Sequence, residues 1–129
     1  NFIEVAFEFC SEYKKVTILE NGIYKVINKG IIMSKIYQVV IYRSISDETK
    51  LAKYAELAGP AMKKAGAKFL ARGVPVMVKE HGEKTRTVVV EWESLDQAEK
   101  GYYSDDYQKA LEALDGAAIR EFRYVEPAE

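Results

Sequence analysis

Two side chains in this sequence have the types to do chemistry together. Arg72 closes the run Gly66-Ala67-Lys68-Phe69-Leu70-Ala71-Arg72-Gly73, and Glu91 lies in Thr85-Arg86-Thr87-Val88-Val89-Val90-Glu91-Trp92. A guanidinium binds a carboxylate ligand through two parallel hydrogen bonds, and a carboxylate buried beside an apolar cavity can have a raised pKa and serve as a base. The competing reading is structural: a salt bridge between strands, or Glu91 holding nearby backbone groups, because ion-pair networks perturb titration without doing chemistry. Tyr54, Tyr102, Tyr103 and Tyr107 fall on expected helices and could offer phenols to a pocket between helix and sheet. Aromatics at helical spacing, and Trp92 with them, also serve as packing with a satisfied polar tip. The expected site is therefore Glu91 and Arg72 as catalytic candidates, with Tyr54, Arg72, Trp92, Tyr102 and Tyr107 for ligand binding.

Other chemistries find little support. His81 is the only histidine and sits among Glu80, Gly82 and Glu83, the composition of a solvated turn. One histidine without cysteine partners makes a poor metal site, so no metal and no cofactor are expected. Cys10 is the only cysteine, which rules out an internal disulfide and suits a reducing cytoplasm. Phosphate loops, nucleotide fingerprints and nucleophile elbows are not found. Lys+Arg 19 against Asp+Glu 20 gives a net charge of -1, and no electrostatic case for nucleic acid or an anionic membrane. No run approaches the roughly 20 apolar residues of a membrane helix. The 129 residues, 48% hydrophobic and 30% charged, suit one globular domain with a real core.

The elements that would position these residues begin at Met33. Ile36 to Arg43 is a β-prone run with apolar residues on both alternating faces, and it needs cover on both sides. Ser46, ahead of Asp47 and Glu48, is expected to start a helix to about Lys64, with Leu51, Tyr54, Ala55, Ala58, Met62 and Ala65 on one stripe. Gly59-Pro60 is expected to kink or restart it. Lys68 to Arg72 is a strand, Val76 to Glu80 a short further one, and Thr85 to Trp92 the strongest in the chain. By alternation Arg86, Val88, Val90 and Trp92 share one face of that strand, and Thr85, Thr87, Val89 and Glu91 the other.

Ser94-Leu95-Asp96-Gln97 matches a capping box for a helix to about Tyr102. Ser104-Asp105-Asp106 caps another that carries Tyr107, Ala110, Leu111 and Leu114 inward and ends before Gly116. Ala118 to Val125 is the last strand. This order is an α+β, ferredoxin-like βαββαβ-type plan, with helices on one face of a largely antiparallel sheet. Tyr37, Val39, Ile41, Val89, Phe122 and Tyr124 leave apolar side chains for both faces. A homodimer with sheets face to face around a barrel-like space is therefore expected.

The first 32 residues read as an N-terminal extension. Val16 to Leu19 and Ile23 to Ile27 flank Glu20-Asn21-Gly22, a hairpin signal, while Phe2 to Phe9 fits a strand or an amphipathic helix. Met33-Ser34-Lys35 resembles a natural start, so this segment is expected to be an appendage or a non-native leader.

Three blocks carry a family resemblance: Gly66 to Gly73; Arg86-Thr87-Val88-Val89-Val90-Glu91-Trp92-Glu93-Ser94; and Tyr102-Tyr103-Ser104-Asp105-Asp106-Tyr107-Gln108. In their order and spacing they resemble the family called domain of unknown function 1330, over about Ile36 to Glu126. That resemblance implies the dimeric α+β barrel superfamily, with its antibiotic-biosynthesis monooxygenase-like and YCII-like members, but supplies no agreed activity. The histidine chemistry of YCII-like proteins does not carry over to a chain with His81 alone. The sequence departs from the family pattern at Ala67, Val74, Glu93, Gly101 (where an aromatic is usual), Asp105 and Leu114 (where an arginine is frequent). The reading is a homodimeric small-molecule-binding protein, with cofactor-independent chemistry on a small organic acid or similar compound as the expected activity. The alternative is a non-catalytic regulatory or interaction module.

Overall fold

The computed structural model describes residues 34–128 in full and, ahead of them, the backbone of three strands: β1 (Phe2–Phe9), β2 (Glu12–Leu19) and β3 (Tyr24–Lys29). These form a separate antiparallel sheet in the order β1-β2-β3, with Val16 opposite both Val5 and Val26. Phe2–Phe9, open between two states in sequence, is thus a strand. The Glu20-Asn21-Gly22 turn lies outside the described residues.

The rest of the chain runs β4 (Ile36–Ile45), α1 (Glu48–Ala65), β5 (Lys68–Gly73), β6 (Thr87–Trp92), α2 (Leu95–Tyr102), α3 (Asp105–Leu114) and β7 (Ala118–Val125). The four strands lie in the order β5-β6-β4-β7, each neighbouring pair antiparallel. This is the expected ferredoxin-like α+β architecture. The alternation of β4 sets the two faces: Ile36, Gln38, Val40 and Tyr42 are buried beneath the helices, and Tyr37, Val39 and Ile41 are half-buried on the other side.

Several boundaries differ from expectation for local reasons. Asp47, not Ser46, caps α1, its carboxylate accepting from the Thr49 and Lys50 amides, because the Ser46 hydroxyl instead donates to the Ala117 carbonyl at 3.2 Å. Pro60 sits inside α1, which continues unbroken through Gly59 and Pro60 to Ala65. Val76–Glu80 is not a strand but part of an irregular connection, where Val76 is 97% exposed and the Glu80 backbone turns to φ 53. Without a partner strand, its β propensity has nothing to pair with. The Ser94 cap holds, its hydroxyl accepting from the Gln97 amide, while the Gln97 side chain reaches back one residue further than expected, to the Glu93 amide.

Beneath the helices, Val90, Trp92 and Tyr107 are almost wholly buried, joined by Val40, Val88, Tyr54, Met62, Ala110 and Leu114. Trp92 is fixed by a 2.7 Å hydrogen bond from its indole nitrogen to Gln38 Oε1. The indole also limits which residue can stand at position 101. A Cβ at Gly101 would lie 2.7 Å from Trp92 Cη2 and 3.2 Å from the Ala65 Cβ, so Trp92 occupies space that an aromatic at 101 would need. Gly101→Ala gains about 1 kcal/mol of helix propensity but overpacks a ring held in place, at a cost of about 1–3 kcal/mol. The expected net result is a lower melting temperature by thermal unfolding. An unchanged or raised value would mean that the indole shifts freely.

The helix-free face has an apolar centre, Tyr37, Val39, Ile41 and Val89, with charged pairs around it. Arg43 Nε and Arg123 Nη2 each donate to Glu121 at 2.7 Å, and Lys35 reaches Glu91 at 3.3 Å. Hydrogen bonds from Arg123 and then Arg43 hold the Glu121 carboxyl below the usual carboxylate range. A folded-state pKa lowered in this way contributes stability above the unfolded pKa, and that stability disappears as pH falls through the folded value. The melting-temperature gap between wild type and Glu121→Gln is therefore expected to be open near neutral pH and to close below about pH 4.

Candidate functional site

A cavity of about 50 Å³ lies between α1 and the helix-facing side of the sheet. From α1 it takes Leu51, Tyr54, Ala58 and Met62; the strands supply Val40, Val88, Val90, Phe69 and Phe122 as walls. Its polar lining is unusual in sign. Arg72, Arg86 and Arg120 all line it, together with Gln38, Tyr42, Tyr54 and Tyr107, and among the described residues no aspartate or glutamate does.

Strand register explains how three strands deliver these cations to one side. Arg120 on β7 lies opposite Tyr42 on β4, and the Tyr42 amide donates to the Arg86 carbonyl just before β6, so the two arginines flank one tyrosine. Their guanidinium carbons stand 5.7 Å (Arg86) and 5.5 Å (Arg120) from the Tyr42 ring centre. Arg72 lies opposite Val88, two residues further along β6. It is exposed, with its guanidinium 5.0 Å from the Phe69 ring centre, and so forms the rim of the cavity rather than its floor.

Arg120 is the best-held of the three. It donates to the Tyr54 hydroxyl at 2.9 Å, and its guanidinium carbon stands 4.8 Å from the ring centres of both Tyr54 and Phe122. The Tyr54 hydroxyl also meets that of Tyr107 at 2.7 Å, in a buried pair with the rings edge to face. Burial pushes the Tyr107 phenol well above its ordinary pKa, Tyr54 adding to the effect and Arg120 working against it. Arg86 differs: its Nε is buried and has no hydrogen-bond partner among the described residues. Such orphaned donors are rare in folded proteins, since leaving one unpaired costs about 1–3 kcal/mol.

The five ligand-binding candidates separate into two groups. Tyr54, Tyr107 and Arg72 line this cavity. Trp92 and Tyr102 line a neighbouring space of about 10 Å³ behind Tyr107, closed by Gln38, Met62, Phe122 and Tyr124 and large enough for one water at most. The expected partnership of Arg72 with Glu91 does not form, because the two occupy opposite faces of the sheet. Glu91 faces away from the helices, its carboxylate within 3.4 Å of the Tyr37 hydroxyl and 3.3 Å of Lys35. The cause is a bulge in β5. Lys68 pairs with Glu91 and Phe69 with Val90, but Ala71 pairs with Val89, so one residue is inserted and Arg72 turns toward the helices. Arg86 and Arg120 were not among the candidates. The signal for Arg86 was its place in an alternating series with Val88, Val90 and Trp92, a charge on a face destined for cover. Leu114 is core. His81 is exposed on a turn.

A four-stranded antiparallel sheet, covered on one face by helices, defines an α+β, ferredoxin-like fold. Three solved structures share that fold: a protein of unknown function from Rhodopseudomonas palustris (TM-score 0.59, 14% identity, 74% of this chain and 84% of that one); SnoaB, a cofactor-independent oxygenase from Streptomyces nogalater (0.52, 7%, 75% and 96%); and a putative antibiotic biosynthesis monooxygenase from Caulobacter crescentus (0.51, 15%, 77% and 94%). No curated protein matches the chain in sequence. Residues 35–128 match the family described as Domain of unknown function (DUF1330), and the chain belongs to that family.

Proposed function

We propose that this protein is a homodimer that binds a small organic acid in the cavity between α1 and the sheet and acts on it without a cofactor. The observation that carries this reading is the lining: three arginines, Gln38, Tyr42 and the two hydroxyls of a buried tyrosine pair, set among apolar walls, with no acidic residue among the described ones. A site so charged gains most from a ligand that brings the missing negative charge. The volume sets the scale. About 50 Å³ is far below the several hundred Å³ of a drug-sized pocket, so the enclosed part accepts a compact group and any larger body projects past Arg72 at the rim.

The second copy is inferred from the helix-free face, whose apolar centre and charged margin have the anatomy of an interface. Glu91 lies on that face, within the space the two sheets would enclose.

One observation favours the alternative, a non-catalytic regulatory or interaction module, here in a form that still binds a ligand: among the described residues the polar lining of the cavity is arginines, tyrosines and Gln38, with no carboxylate or imidazole to act as a base. Thermal unfolding with a panel of carboxylates, phenolics and quinones tests the common part. A rise in melting temperature with carboxylates is expected, and no stabilisation by any compound would refute binding in either form. Turnover of a stabilising acid, followed by mass change of the acid, then separates enzyme from module.

A further inference from the structure

Resting on the reading of the cavity as a small-molecule site, we infer that it is a carboxylate receptor in which Arg86 is the anchoring donor and the Tyr54 hydroxyl, oriented by Arg120 and Tyr107, is the second donor to the same ligand group. Nothing in the fold alone requires this; two hydrogen-bond inventories do.

The first concerns Arg86. Arg86 lines the cavity, its Nε is buried and has no acceptor among the described residues, and its guanidinium stands near the Tyr42 ring. A guanidinium offers five donors in a planar fork and no acceptor, so only an oxygen-rich or anionic ligand completes it. Among the described residues no acidic side chain lines the cavity to do so.

The second concerns Tyr54. Its oxygen accepts from Arg120 at 2.9 Å and lies 2.7 Å from the Tyr107 oxygen. Either phenol could donate between them, but Tyr107 is 2% exposed, and Arg120, the other side chain that hydrogen-bonds its hydroxyl, offers donors only, so Tyr54 is the acceptor within its reach among the described residues. With Tyr107 donating, both lone pairs of Tyr54 are occupied and its own proton is free for the cavity that Tyr54 lines. A carboxylate presents two oxygens in one plane, one for Arg86 and one for Tyr54. An amide of the same shape replaces one oxygen with a donor, which would meet either a guanidinium or a phenolic proton. Discrimination between acid and amide is therefore the signature of this arrangement.

Isothermal titration of the full-length protein in low-salt buffer, with acetate, glycolate and benzoate against acetamide and benzamide, tests the assignment. Each acid is expected to bind at least tenfold more tightly than its amide. Arg86→Met should remove at least tenfold of acid affinity, Arg86→Lys should recover part of it, and Tyr54→Phe should weaken acids severalfold while leaving amides unchanged. Circular dichroism of each variant verifies folding, and Arg86→Lys keeps the test decisive if Arg86→Met does not fold. Equal binding of acids and amides, or Arg86 variants with wild-type acid affinity, would overturn the inference while leaving a neutral-ligand cavity intact. Inorganic phosphate is the remaining arm, and binding it more tightly than every carboxylate would overturn the carboxylate assignment.

Discussion

Arg120→Met is expected to lower the affinity for a carboxylate ligand about a hundredfold, with secondary structure retained. The side chain does three things at once. It contributes charge to a site with no acidic residue among the described lining, it donates to Tyr54, and it is sandwiched near the rings of Tyr42, Tyr54 and Phe122. Truncating one member of a buried, hydrogen-bonded charged set typically costs about 2–5 kcal/mol, and a hundredfold lies within that range. Methionine keeps much of the volume, so the change is chiefly one of charge and donors. Without the guanidinium, Tyr54 regains a free lone pair and its proton is no longer confined to the ligand side. Arg72→Met, at the exposed rim, should cost much less. Titration calorimetry of both variants gives the comparison, and equal losses at 72 and 120 would show that the site recognises net charge rather than a fixed donor geometry.

Val39→Glu is expected to convert the protein from dimer to monomer. Val39 lies opposite Val89 on β6 and Arg123 on β7, at the middle of the helix-free face. In a two-fold dimer the substitution enters twice, placing two carboxylates in or near the same apolar centre. Like charges brought together at an interface cost several kcal/mol, or about a thousandfold in dissociation constant. Light scattering at micromolar concentration should give close to twice 14.6 kDa for the wild type and 14.6 kDa for the variant. A wild-type mass of 14.6 kDa would remove the dimer from the proposal, and a dimeric variant would move the interface elsewhere.

Much of the architecture was legible because it depends on local signals that agree with one another. The caps at Ser94 and Ser104, the stripe through Tyr54, Ala58 and Met62, and the alternation in β4 and β6 all specify the arrangement observed. The misses share a cause: they depended on partners that sequence does not display. Val76–Glu80 has strand-like residues but no neighbour to pair with. Ser46 has a capping hydroxyl, which the Ala117 carbonyl claims from across the chain.

The site was less legible for the same reason. Strict alternation sets Arg72 beside Lys68, on the side of Glu91, and the bulge at Leu70 reverses it. Arg120 sits between strand-end residues of ordinary type, and only the β4–β7 register brings it to Tyr42 and Tyr54. Arg86 carried a readable hint, a charge in an otherwise apolar series.

The bulge has a consequence for how relatives of this chain can diverge. A single residue in β5 decides which of two compartments receives a positive charge: the cavity under α1, or the helix-free face beside Glu91. Removal of the inserted residue would leave Ala71 opposite Val89 and Arg72 opposite Val88, whereas regular pairing of that residue would slip Ala71 and Arg72 by one position and turn the guanidinium toward the helix-free face. The compartment that receives the charge is therefore set by how β5 is paired, and not only by which residues it contains.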